Sequence, residues 1–214
     1  MPREISQHTV FVAGAEDVDH LIVSTLRLIA GLDKVLCPTF GMSLRGVRGL
    51  GVAPAGWGRP QDRINPLVRS CDLFMGIVSR QFGHPTGVAV SGTIEEFDIV
   101  ADLRRLTGRT PEILLFFRQL PEAQDQEVSR DLQLIREFRR RIAEELLWVD
   151  FDDDEHFKEL CVEQLIAYVL SKGAFVKDPV EAVVDQTPQI RAPGPETPAA
   201  KCTNDGGNED GSIR

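Results

Sequence analysis

Positive charge is in short supply: 24 Lys and Arg stand against 33 Asp and Glu, for a formal net charge of -9. Binding a phosphate backbone needs a concentrated excess of basic side chains, so nucleic acid is excluded as a partner. Long apolar runs are also missing. None approaches the roughly 20 residues that span a bilayer, and the opening "MPREISQHTVFVAGA" lacks the ordered regions of a secretory signal. The expectation is a cytoplasmic chain with no membrane partner.

The four cysteines, Cys37, Cys71, Cys161 and Cys202, show no C-x-x-C spacing, which excludes a zinc site or a disulfide framework. The first three sit in apolar surroundings and read as small core residues. The four histidines are dispersed, so no metal is expected. A G-x-x-x-x-G-K-[ST] loop is absent, and "AGAEDVD" offers one glycine and two acids where a phosphate cradle needs bare amides. ATP or GTP hydrolysis is not expected, and a Rossmann dinucleotide site is disfavoured; no bound cofactor is expected. Glu16 and Asp17 read as first-turn helix acids.

What is present is a regular alternation of apolar strands and helices. "HTVFVAGA" reads as a buried strand, and the helix after it is expected to close at Gly31. Residues 34–40, "KVLCPTF", read as a second strand, and the glycine-rich residues 41–60 as a long mobile loop. A short helix "QDRINPLVRSC" then leads to a third strand over residues 72–78, followed by a helix that ends at Gly108. "PEILLFFRQ", the charged helix over residues 125–145, "LLWVDFDDD" and the helix from residue 155 complete the series. The implied fold is α/β: three α/β/α layers around a five-stranded parallel sheet of flavodoxin-like order 2-1-3-4-5. Residues 1–173 form the domain, and residues 174–214, rich in proline, glycine and acids, read as a disordered tail.

In this architecture ligands bind beyond the carboxyl ends of the strands, where the strand order reverses. "VSGTIEEFDIVADL" falls at the start of the helix after strand three. Thr93-Ile94-Glu95-Glu96 fits a capping box, with Thr93 accepting from the backbone amide at Glu96 and the Glu96 carboxylate reaching back. The competing reading aims Glu96 over the sheet edge, where a carboxylate stabilises a sugar cation or attacks an anomeric carbon.

"VFVAGAEDVD", "WGRPQDRINPLVRSCDLFMGIVSRQFG", "SGTIEEFDIVADL" and "PEILLFF" resemble the domain of unknown function 4062 family over residues 9–170. The resemblance implies kinship with Toll/interleukin-1 receptor (TIR) domains and a place in bacterial signalling or defence. Gly92, Thr93 and Glu96 are also similar to the G-T-x-x-E motif of nucleoside 2-deoxyribosyltransferases, whose glutamate is the nucleophile. In enzymatic TIR domains a glutamate on the matching helix supports NAD cleavage. The resemblances imply Glu96 and Thr93 as catalytic residues. A nucleotide such as NAD would then be bound by Gly14, Ala15, Trp57, Arg80, Phe82, Gly83 and Gly92. The sequence departs from these patterns at "AGAED", where hydroxyl residues are usual, at Phe82 and Phe97 in place of tyrosine, and at Asp98 in place of glycine.

Trp57 between two glycines suits stacking on a base or anchoring a loop, and Arg45, Arg48, Arg59 and Arg63 suit phosphate contacts or solvation. Arg139, Arg140 and Arg141 read as a charged helix face, and Trp148 and Phe151 as cover for the sheet edge. Two functions follow. One is a nucleotide N-glycosidase with residues 41–60 as a lid. The other is a non-catalytic sensor or adaptor that binds a nucleotide or forms homo-oligomers.

Overall fold

A computed structural model describes residues 5–49, 57–120 and 129–172. Five parallel strands run β1 (Ser6–Gly14), β2 (Met42–Val47), β3 (Leu73–Val78), β4 (Glu112–Arg118) and β5 (Val149–Phe151), in the order β2-β1-β3-β4-β5. The helices are α1 (Asp19–Phe40, after a 3-10 turn at Glu16–Val18), α2 (Pro60–Arg69), α3 (Gly92–Thr107), α4 (Arg130–Ile142) and α5 (Asp154–Lys172). The expected α/β architecture and strand order are therefore observed. No helix among the described residues is long and apolar enough to cross a membrane.

Two apolar layers follow from the period-two alternation of the strands. Val10, Val12, Met75 and Ile77 face α1 and α5, where Ile22, Ile29, Phe157 and Leu165 complete one core. Phe11, Ala13, Phe74 and Val78 face the other way, toward Ile64, Val68, Phe97, Val100 and Phe138 of α2, α3 and α4. All six residues of β3 are buried, as a strand covered on both faces requires.

The register of β1 with its two neighbours sets the switch point. Thr9 pairs with Arg45 and Phe11 with Val47 on one side, while Phe11 pairs with Phe74 and Gly14 with Ile77 on the other. The chain leaves β1 for α1 and β3 for α3 on opposite faces, so a crevice opens beyond Gly14.

Residues 34–40 are helix, not the expected second strand, and α1 does not close at Gly31. The buried stripe Ile22, Thr25, Ile29 and Leu36 keeps helical spacing across Gly31, and burial against the sheet outweighs the cost of a mid-helix glycine. The helix ends at Gly41, whose left-handed φ of 68° lets its amide bond to the Cys37 carbonyl.

The second strand instead occupies Met42–Val47, inside the stretch expected to be loop. Met42, Leu44 and Val47 are buried while Arg45 is exposed, the pattern of a partly covered edge strand. Gly46 concealed it, because a glycine in a strand marks close approach of a neighbour. A Cβ there would lie 2.8 Å from Leu26 Cδ2. The remaining loop positions 50–56, the α4 approach at 121–128 and the tail expectation for 174–214 lie outside the described residues.

Of the cysteines, Cys71 and Cys161 are buried and Cys37 is half-buried. Burial pushes the Cys71 thiol up to about 12 and the Cys161 thiol up to about 11, the behaviour of inert core residues.

Candidate functional site

The first turn of α3 is capped by Ser91. Its extended backbone and its hydroxyl, which accepts from the Ile94 amide at 3.1 Å, satisfy one of the free donors of the helix start. The expected capping box of Thr93 and Glu96 does not form, because Gly92 is already helical and Thr93 lies inside the first turn. Glu96 is released from a capping role.

Its carboxyl turns instead into the domain, with Glu96 only 8% exposed. Gln61 of α2 donates from Nε2 to Glu96 Oε1 at 2.9 Å. Burial pushes the Glu96 carboxyl up to about 7, against the lowering effect of the Gln61 bond, and the neighbouring Glu95 charge adds to the rise. Glu96 therefore sits near the midpoint of its titration at neutral pH.

Glu95 faces different surroundings. Arg59 Nη1 donates to both of its oxygens at 2.9 and 2.8 Å, and Asn65 Nδ2 donates to Oε1 at 2.8 Å. Burial pushes this carboxyl up, but hydrogen bonds from Thr86, Asn65 and Arg59 outweigh it and hold Glu95 below the usual range. Adjacent carboxyls are thus driven in opposite directions, a pattern that separates an acid or base from a fixed counter-charge.

Glu96 lines a cavity of about 640 Å³ at the carboxyl edge of β1, a volume within the range of small-molecule sites. Its floor is Val12, Ala13, Gly14 and Ala15, and Ile22 and Ile64 supply apolar walls. Glu16, Asp19, Arg48 and His84 bring charge and hydrogen-bonding groups to it. Arg48 is paired with Asp19 at 2.6 Å. Gly14 fits only as glycine, since a Cβ would come within 2.6 Å of Val18 Cγ2 and 2.9 Å of the Ile77 carbonyl.

Asp17 braces the edge of this site. Its Oδ2 accepts from the amides of Arg80 and Gln81 at 2.8 and 3.2 Å, joining the turn after β1 to the loop after β3. Sequence reading had assigned Asp17 to the helix macrodipole.

Of the residues singled out from sequence, Gly14, Ala15 and Glu96 come together at the cavity. Thr93 is buried in the first turn of α3. Gly92 packs on Gln61, and a Cβ there would lie 3.3 Å from Gln61 Oε1. Phe82 is 1% exposed and packs edge-on against Phe138 at 5.1 Å, on the α4 side of the sheet. Gly83 follows it with φ of 86°, and Arg80 lies at the surface. Trp57 is 98% exposed at the approach to α2.

Sequence reading missed Gln61, Arg59, Asn65, Asp17 and His84 as parts of this constellation. One signal was available for two of them. Gln61, Ile64, Asn65 and Val68 form the buried stripe of α2, and a polar i,i+4 pair on an otherwise apolar face asks for a buried partner.

A second hollow of about 330 Å³ lies at the amino edge of β4, lined by Phe97, Arg105, Arg141 and Glu145 among others. Two of its arginines are ion-paired, Arg105 to Glu145 and Arg141 to Asp98. Arg141 also stacks over Phe97 and Phe138, and Arg139 over Phe117 and Trp148. Arg139 and Arg141 belong to the charged helix face expected from the sequence, and their stems also cover these rings.

Among known families, the model of the domain of unknown function DUF4062 matches residues 38–166. No curated protein matches the chain. Among solved structures, the chain is similar to an Era variant from Aquifex aeolicus, crystallised with GDP.AlF4-, at 10% sequence identity and a TM-score of 0.37. That likeness covers 77% of this chain, which spans 57% of the Era chain.

Proposed function

We propose, from the premise that the chain belongs to the DUF4062 family, that the domain cleaves the N-glycosidic bond of a nucleoside or nucleotide such as NAD. Glu96 acts as its catalytic carboxylate. One observation carries the reading: an almost fully buried carboxyl, lifted to about 7, lines a nucleoside-sized cavity at the crevice where the strand order reverses.

In the proposed reaction the bond between the anomeric carbon and the base nitrogen breaks, and its electron pair leaves with the base. A cationic nicotinamide departs as a neutral molecule, so no acid is needed at the leaving group. The ionised Glu96 carboxylate stabilises the positive charge that develops on the sugar. Water then adds to the anomeric carbon and passes its proton to Glu96, whose titration near 7 suits a general base at neutral pH. The setting, a bacterial signalling or defence pathway in the cytoplasm, rests on the family resemblance alone.

Incubation of the full chain with NAD, following released nicotinamide, tests this. Glu96→Gln should reduce release by about 100-fold or more, in the range of a lost general base. Equal release by both proteins removes Glu96 from the role.

A second reading is supported by the Gln61–Glu96 bond itself, which links α2 to α3 and gives the carboxyl a structural use. Here the domain binds a nucleotide or associates with itself without chemistry. Ligand-induced stabilisation of both wild type and Glu96→Gln, with no nicotinamide released by either, would identify it.

A further inference from the structure

We propose that Gln61 is the positioning residue for Glu96: its carboxamide fixes one carboxyl oxygen against α2 and leaves the other to meet a ligand in the β1 crevice. This rests on the Glu96 reading above and deepens it.

The argument begins with the face that α2 presents to α3. Arg59, Gln61 and Asn65 all direct their side chains at the two glutamates of the first turn of α3. Arg59 and Asn65 hold Glu95, and Gln61 alone among the described residues hydrogen-bonds to Glu96. The carboxamide of Gln61 is itself clasped. Its Nε2 points to Glu96 Oε1 at 2.9 Å, while its Oε1 lies against Gly92, where a Cβ would be only 3.3 Å away.

With Gln61 6% exposed and Glu96 8% exposed, the bond between them is shielded from bulk solvent. A buried bond of this kind restricts rotation of the carboxyl, which a near-attack geometry requires. Glu96 Oε2 accepts no hydrogen bond among the described residues and is the oxygen left for the cavity. Glu95 acts from behind as a fixed negative charge that Arg59 holds in place. The other charged or titratable groups lining the cavity are Glu16 and Asp19 from the β1–α1 turn, Arg48 after β2, and His84 from the loop after β3.

The test is a carboxyl-carbon NMR titration of Glu96 in the full chain, with the resonance assigned by its absence in Glu96→Gln. Gln61→Met keeps the length of the side chain and removes the donor. It should move the Glu96 midpoint upward by roughly one pH unit, the effect of losing one hydrogen bond to the charged form. Gln61→Glu, close in shape to the native residue, guards against misfolding of the first variant. It should raise the midpoint further and split the titration into two coupled steps.

An unchanged midpoint in a folded Gln61 variant overturns the proposal. Nicotinamide release separates this from failure of the glycosidase reading. An inactive wild type removes that reading while the titration still decides the hold of Gln61 on Glu96. In an active wild type, Gln61→Met should lower kcat with little change in KM and shift the acidic limb of the rate profile upward. A variant with wild-type kcat and an unmoved limb also overturns the proposal.

Discussion

Glu95 and Glu96 are neighbours in the chain, yet the carboxyl of Glu95 is held by Arg59 at 2.8 Å while that of Glu96 receives a single bond from Gln61 at 2.9 Å. An arginine on one side and an amide on the other make one a lasting anion and the other a group that titrates near neutrality.

Stability should report the Glu96 proton directly. Its pKa rises from 4.5 to about 7 on folding, so the native state binds this proton more tightly than the unfolded chain. The associated stability is complete below about 4.5 and is lost as pH rises through about 7, an effect of about 3 kcal/mol at ~1.4 kcal/mol per unit. Urea unfolding at pH 5 and pH 8 should show wild type losing most of that stability relative to Glu96→Gln. Parallel pH dependence in the two proteins contradicts the assignment.

Glu95 works in the opposite sense. Its folded pKa is depressed, so its contribution is present above the unfolded value of 4.5 and disappears as pH falls through the folded value. Arg59→Met should bring the Glu95 midpoint upward and reduce stability most at neutral pH, where the abandoned carboxylate is charged. The same carboxyl titration checks it, and a midpoint that stays depressed would show that Asn65 and Thr86 suffice.

The helix cap distinguishes Ser91 from Thr93. Ser91→Ala should cost about 1 kcal/mol, the usual value of an N-cap hydroxyl, because it frees the Ile94 amide. Thr93→Val removes the hydroxyl at similar volume and should leave both the Ile94 and Glu96 amides protected from hydrogen exchange as in wild type. Protection of the Glu96 amide lost in the Thr93 variant and kept in the Ser91 variant would restore the capping box.

Gly14 carries a steric constraint with a functional reading. Gly14→Ala places a methyl group 2.6 Å from Val18 Cγ2 and 2.9 Å from the Ile77 carbonyl, and should cost about 1–3 kcal/mol by overpacking. The turn after β1 must move, so ligand affinity should fall along with the midpoint of chemical denaturation. An unaltered midpoint would mean that the strands separate more easily than their packing implies.

Phe82 and Trp57, both among the nucleotide-binding residues that the family resemblance implies, should behave differently. Phe82→Ala should cost about 3–5 kcal/mol as a core truncation, since the ring is buried against Phe138. Trp57→Ala, at a 98% exposed position, should change stability by less than about 0.5 kcal/mol. Denaturation midpoints of the two variants check both values.

The alternation of β1, β3 and β4 with helices was legible in the sequence, because apolar period and turn residues act over a few positions. So was the ending of α3 at Gly108, which takes up the left-handed φ of 72°. The edge strand β2 was not. Its glycine and arginine resemble loop chemistry until Leu26 and Ile29 of α1 lie across Gly46. The serine two residues before Thr93 was equally visible, but choosing between two hydroxyls needed the backbone angle at Ser91.

By itself the sequence determined a parallel, doubly covered sheet and pointed Glu96 toward its carboxyl edge. Only the tertiary structure decided which of two adjacent glutamates would be neutralised by an arginine and which would be left to titrate beside a cavity. The partners lie 30 to 36 residues away, on α2 and at its N-cap. The electrostatic environment of a buried carboxyl is set by what packing brings within about 3 Å of it, and local sequence pattern carries no record of that.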